Sequence, residues 1–226
     1  AIGSNPDAPI IGNTLAALEL AGDPLSRVSA IFWYLAGAHT DDAIQALERE
    51  IAPRMAAHYS AIYMNDRLFA RIDALRDEAD GLRLDAETAR VLDRTWKRFV
   101  RAGAKLDRQS KARLAAINSE LASLGASFGQ NVLADEKDWV LFLDENDLAG
   151  VPDFLRDSMA EAAALRERPG AFAVTLSRSI VIPFLTFSSR RDLREKAFHA
   201  FAKRGENGGT TDNGENVRRT LALRAE

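Results

Sequence analysis

The chain has 226 residues, 46% apolar and 28% charged, the make-up of a globular protein long enough for one large domain or two small ones. A net charge of −3 offers no basic field to a phosphate backbone, which disfavours nucleic-acid binding. The absence of cysteine excludes disulfides, thiolate zinc sites and cysteine nucleophiles, and the longest strongly apolar stretch, residues 30–36, is far too short to span a bilayer.

The opening AIGSNPDAPIIGNT has neither the charged nor the apolar region of a secretory signal, so the cytoplasm is the expected location. A short helix is predicted from Asn13-Thr14 to Leu20, ended by Gly22. Asp23 should cap a second, with Pro24 at its first position, Val28, Phe32 and Leu35 on one face, and a stop at Gly37. Thr40 is the predicted cap of a third, with Asp41 and Asp42 near its positive end. In it Ile44, Leu47, Ile51, Met55 and Ile62 recur at helical spacing. Pro53 should kink this helix or divide it at Ala52.

Asn65-Asp66 restarts a helix with Leu68, Phe69, Ile72 and Leu75 toward the core, closed by Gly81. Another begins near Asp85 and carries Val91, Leu92, Trp96 and Phe99. The longest amphipathic run, residues 107–133, carries Leu114, Ile117, Leu121, Leu124, Phe128 and Leu133. The pattern changes at Trp139. Residues 139–143 and 172–176 read as strands, with a helix started by Pro152 between them and ended before Pro169-Gly170. Their pairing could be parallel or antiparallel. Two further helices are expected, over residues 190–203 and from Asp212 onward, and the chain stops in mid-helix without a terminating residue.

Candidate chemistry is sparse. A helical zinc site needs two imidazoles one turn apart, as in H-E-x-x-H. None of His39, His58 and His199 makes that motif, and His58 and His199 are expected at helix surfaces or partly buried. G-x-S-x-G is absent as well. The loop from Gly205 to Gly214 is glycine-rich but lacks the G-K-[ST] ending of a phosphate loop. It reads better as an inter-helix turn, with Thr211 or Asp212 capping the last helix. Asp41, Asp42, Glu48 and Glu50 read as a solvated face, as do Arg190, Arg191, Arg194 and Lys196 balanced by Asp192 and Glu195. Trp33, Tyr34, Tyr59 and Tyr63 could line a peptide groove; core packing is the simpler reading of Trp33 and Tyr59.

Several landmarks occur in a familiar order. Asn5-Pro6, Pro9, Asn13-Thr14, Ala17-Leu18-Glu19 and Gly22 come first, followed by Asn65, Leu68-Phe69 and Arg71-Ile72. Leu106-Asp107, Arg113-Leu114, Ile117-Asn118, Leu121, Leu124, Phe128 and Asn131 continue the series. Gly150-Val-Pro152, Val174-Thr-Leu176, Pro183-Phe184, Arg191-Asp-Leu-Arg194-Glu-Lys196, Asn216 and Leu221-Ala-Leu-Arg224 complete it. Together they resemble the thimet-oligopeptidase-like (M3) family of zinc peptidases over essentially the whole chain. Gly37-Ala-His39-Thr40 and Glu48-Arg-Glu50-Ile-Ala-Pro53 are most similar to the peptidyl-dipeptidase branch. Ile10-Ile11-Gly12 and Ser179 depart from the family pattern.

The resemblance implies a mainly α N-terminal lobe with a minor two-strand β element: a helical subdomain over residues 1–135 and a mixed segment over 136–226. It implies that the parent protein has residues before Ala1 and a C-terminal catalytic region after Glu226. That parent would be a zinc metallopeptidase hydrolysing oligopeptides and releasing C-terminal dipeptides. The H-E-x-x-H helix and a later Glu ligand lie downstream in this family, so no catalytic, cofactor-binding or metal residue is assigned within the chain, which alone should be inactive and bind no zinc. A non-catalytic helical scaffold, or a peptide- or protein-binding module of the same fold, is the alternative.

Overall fold

Asparagine and aspartate side chains decide where many of the helices begin. In the computed structural model, which describes residues 1–226, a short 3-10 turn over Ile2–Ser4 precedes a π-helix over Ile11–Ala16 that passes into α1 (Ala17–Ala21). This opening helix starts two residues before Asn13, because the Asn13 Oδ1 accepts the Ile10 N–H at 3.0 Å and ties down the first turn. In α2 (Asp23–Ala38) Asp23 is the first helical residue rather than the cap, a position held by Gly22. The helix also runs through Gly37 instead of stopping there.

The cap of α3 (Asp42–Tyr63) is Asp41, not Thr40: Asp41 Oδ1 accepts the Ile44 N–H at 2.8 Å. Thr40 turns its hydroxyl to the Asp41 carbonyl instead. α3 is continuous through Pro53. Asn65 caps α4 (Asp66–Asp77), Asp85 caps α5 (Ala86–Arg101), and Asp107 accepts the Ser110 N–H in the first turn of α6 (Arg108–Asp138), each at 2.9 Å. Such side-chain caps satisfy an N–H that has no partner within the helix. α4 ends at Asp77, four residues short of Gly81.

The chain divides into two compact units, Ala1–Ala126 and Ser127–Glu226. In the first, Leu68, Phe69, Ile72 and Leu75 of α4 pack with Leu92 and Phe99 of α5 and with Leu15, and Phe69 stacks on Phe99. The second is built around a two-stranded sheet. β1 (Val140–Leu143) pairs antiparallel with β2 (Phe172–Thr175), Val140 opposite Thr175 and Leu143 opposite Phe172. Between the strands α7 (Asp153–Ala164) covers β2 with Leu155, Met159 and Ala163, all fully buried.

Reading the sequence misses α8 (Arg178–Phe187), which supplies Ile180, Val181 and Phe184 to this core. α9 (Arg191–Ala202) and α10 (Gly214–Ala225) complete the unit. The approach to α8 depends on Gly150, whose φ of +81° is left-handed. A Cβ there would lie 2.5 Å from the Phe187 carbonyl and the Ser189 hydroxyl, so only glycine lets the two segments close on each other.

Candidate functional site

A polar junction built on the end of α6 organises the second unit. Asp135 is half-buried, and its carboxylate accepts the Gly205 N–H at 2.6 Å, the Asn207 amide at 2.7 and 2.8 Å, and the Thr211 hydroxyl. Burial, the largest single influence, raises its pKa, but the Thr211, Gly205 and Asn207 donors together outweigh it and hold the carboxyl below its ordinary value. Next to it Glu136 pairs with Arg204, whose guanidinium lies 4.0 Å from the centre of the Phe201 ring.

Asn213 is almost fully buried and completes the junction. Its amide donates to the Phe128 carbonyl at 3.1 Å, and its oxygen accepts from the amides of Asn131 and Asn216. Asp212 accepts the Gly208 and Gly214 N–H groups, which hold its carboxyl below the ordinary value. The loop is therefore the inter-helix turn expected from sequence, although Asn213, rather than Thr211 or Asp212, holds the cap position of α10. The N–H groups of Gly205, Gly208, Gly209 and Gly214 are all occupied by the chain's own side chains rather than turned outward to cradle a phosphate.

Beside the junction an open groove of about 820 Å³ is lined by the apolar Trp139, Val140 and Leu141 and by charges of both signs, Lys196 and Lys203 with Asp135, Asp138 and Glu206. Apolar residues among charges of both signs can hold a short peptide by its side chains. The groove walls include no serine or threonine nucleophile.

The first unit carries two further features, one buried and one at the surface. Arg71, at the buried face of α4, donates to the Thr14 hydroxyl at 3.2 Å, the Asn5 and Asp7 carbonyls at 3.1 and 2.8 Å, and Asn13 Oδ1 at 2.8 Å. The guanidinium thus ties residues 5–14 to α4 through neutral oxygens only. On α5, Arg90, Arg94, Lys97, Arg98 and Arg101 line a polar groove of about 930 Å³, within which Asp93 takes Arg90 and Lys97.

The sequence candidates fall at separate places. His39 is the exposed C-cap of α2, His58 is exposed on α3, and His199 is exposed on α9 with Nε2 3.8 Å from Glu195. No three histidine, aspartate or glutamate side chains are grouped so as to hold a metal ion, and the residues present do not fit a zinc site. Arg190 pairs with Asp192 and Asp147, and Arg194 donates to the Ser188 carbonyl, so this basic group is largely structural.

Core packing fails for Trp33 and Tyr59, whereas Tyr63 packs against the core beside Phe99. Trp33, Tyr34 and Tyr59 are all substantially exposed. Tyr59 and Tyr63 stack with ring centres 6.3 Å apart and line a shallow groove of about 290 Å³ with Ser60, Met64 and Asn118, from which Trp33 and Tyr34 are absent. Sequence reasoning does not single out Arg71, Asp135 and Asn213 as a polar framework. The signal available for Arg71 is a charge placed on the apolar stripe of Leu68, Ile72 and Leu75.

No protein-family model matches the chain. It is 35% identical to dipeptidyl carboxypeptidase of Escherichia coli (strain K12) over 227 aligned residues, which take in 100% of this chain and 33% of that protein. Against dipeptidyl carboxypeptidase of Salmonella typhimurium the identity is 37%, covering 99% of the chain and 33% of the relative. Oligopeptidase A of Haemophilus influenzae is 23% identical, with 95% and 32% covered. The chain thus spans about a third of the length of these curated relatives.

Proposed function

From the premise that the relatives of this chain are peptidases of the thimet-oligopeptidase-like (M3) family, we propose that it is the N-terminal helical portion of a zinc-dependent oligopeptidase that releases C-terminal dipeptides. The observation that carries this reading is the match to two dipeptidyl carboxypeptidases over 100% and 99% of the chain, at 35% and 37% identity. Residues 1–135 form its helical subdomain, and residues 136–226 form a mixed segment continuing into a catalytic region. The metal ligands and the catalytic acid–base group lie in that region, outside this chain. Zinc would there activate water for attack on a peptide carbonyl.

What these residues contribute is shape. The helices form one wall of a channel that admits short peptides and turns folded proteins away. The cytoplasm is the proposed location; no helix is long and apolar enough to cross a membrane. The test is to incubate the gene product containing this chain with oligopeptides blocked at the N-terminus and follow the products by mass spectrometry. Successive loss of C-terminal dipeptides, stopped by a chelator and restored by zinc, is expected. Intact peptides, or release of single amino acids, would overturn the reading.

A further inference from the structure

α2 has more apolar surface than its neighbours cover. From Val28 to Ala38 it runs eleven residues without a charge, a length typical of a core helix rather than a membrane span. Yet it buries no residue fully. Leu25, Ser29, Phe32 and Ala36, at intervals of four, three and four, form the half-buried face, and α1 and α3 are its main packing neighbours.

A second stripe lies round the helix from that face. Val28, Ile31, Leu35 and Ala38 are spaced at intervals of three, four and three, and Tyr34 sits beside them. Val28 is 67% exposed, Ile31 66% and Tyr34 71%. A helix apolar all round belongs in an interior, and the three–four–three spacing is that of a seam into which another helix sets its side chains.

We propose that this stripe is the seat of an apolar helix supplied by the part of the protein that lies beyond the third represented here. The inference rests on the peptidase reading for the existence of that part; the relatives are about three times as long as the chain. Two considerations select this occupant. The stripe offers on the order of 500 Å², judged from what its large side chains can bury, against the ~800 Å² per partner of a stable complex between separate molecules. A second copy would therefore hold weakly. A helix of the same polypeptide needs much less area, because its effective concentration is already high. The stripe also carries no charge, which suits an apolar helical ridge and neither an anionic surface nor a polar peptide.

The test uses the lack of native cysteine in these 226 residues. Val28→Cys and Ile31→Cys, with Asp80→Cys as an exposed control, are introduced one at a time into the 226-residue chain and into the gene product that contains it. Far-UV circular dichroism checks that each variant keeps the parent fold, and reaction with a maleimide is timed. Both stripe thiols should react as fast as the control in the 226-residue chain and at least ten-fold more slowly in the gene product. Equal rates in the two proteins would overturn the inference. So would slowing in the 226-residue chain that grows with its concentration, which would assign the face to a second copy. Peptidase activity is read on the same samples: protected thiols without dipeptide release would sink the peptidase reading alone, and dipeptide release with reactive thiols would sink this inference alone.

Discussion

Arg71 and Asp135 do comparable work in the two units, each gathering loose polar chain onto a helix. Arg71 is buried without a carboxylate, so its charge is held by four oxygen acceptors from residues 5–14. Arg71→Ala leaves those acceptors unpaired and should lower stability by about 3 kcal/mol in urea unfolding, with Arg71→Lys failing to restore the fork geometry. Asp135 has a folded-state pKa below that of the unfolded chain. Its contribution is therefore complete above about pH 4 and is lost as the pH falls through the lower folded-state value. Asp135→Asn should cost ~1–2 kcal/mol at neutral pH. It should also flatten the fall in urea midpoint on acidification, a fall the parent chain shows in full. The role of Asp135 is not visible in the sequence, where a lone Asp looks like a solvated charge, and the one signal for Arg71 is its place on an apolar stripe; the partners that give both meaning lie 57 to 76 positions away.

Elements with a local start signal and one apolar face are legible; elements lacking either are not. α4 has Asn65 as cap and Leu68, Phe69, Ile72 and Leu75 at helical spacing, and all four are buried as expected. α5 fits equally well, with Leu92 and Phe99 buried. α8 escapes notice because Pro183 sits inside it and Ser177 gives no side-chain cap bond, so the core contacts of Ile180, Val181 and Phe184 decide the helix instead of local propensity. α6 outlasts its apolar pattern by a turn because Asp135 and Glu136 find partners in the α9–α10 loop.

In α2 periodicity cannot choose between two apolar faces. It groups Val28, Phe32 and Leu35 together, whereas Phe32 is half-buried and Val28 lies open. Urea unfolding of the 226-residue chain separates core from open positions. Phe184→Ala, at a fully buried ring, should cost about 3–5 kcal/mol. In α2, Phe32→Ala should cost ~1–2 kcal/mol while Val28→Ala stays within about 0.5 kcal/mol; the reverse order would mean the packed face has been misassigned.

At the scale of the molecule, the family landmarks turn out to be joints of the framework. Asn5, Asn13 and Thr14 meet Arg71, Asn65 caps α4, and Asn131 and Asn216 meet Asn213. Residues separated in sequence are thus linked through the hydrogen bonds that close each unit, which is why their order and spacing are informative when each match alone is weak. The site is less legible than the fold: the three histidines are dispersed, and no three histidine, aspartate or glutamate side chains converge. We propose that this chain shapes a peptidase whose chemistry lies elsewhere in the same protein. The most direct measurement sets the 226-residue chain beside the gene product containing it, under identical conditions, and determines bound zinc and dipeptide release for both. The account predicts one zinc and chelator-sensitive dipeptide release in the gene product, and neither in the chain. A gene product without zinc or cleavage, or a chain that cleaves by itself, would contradict it.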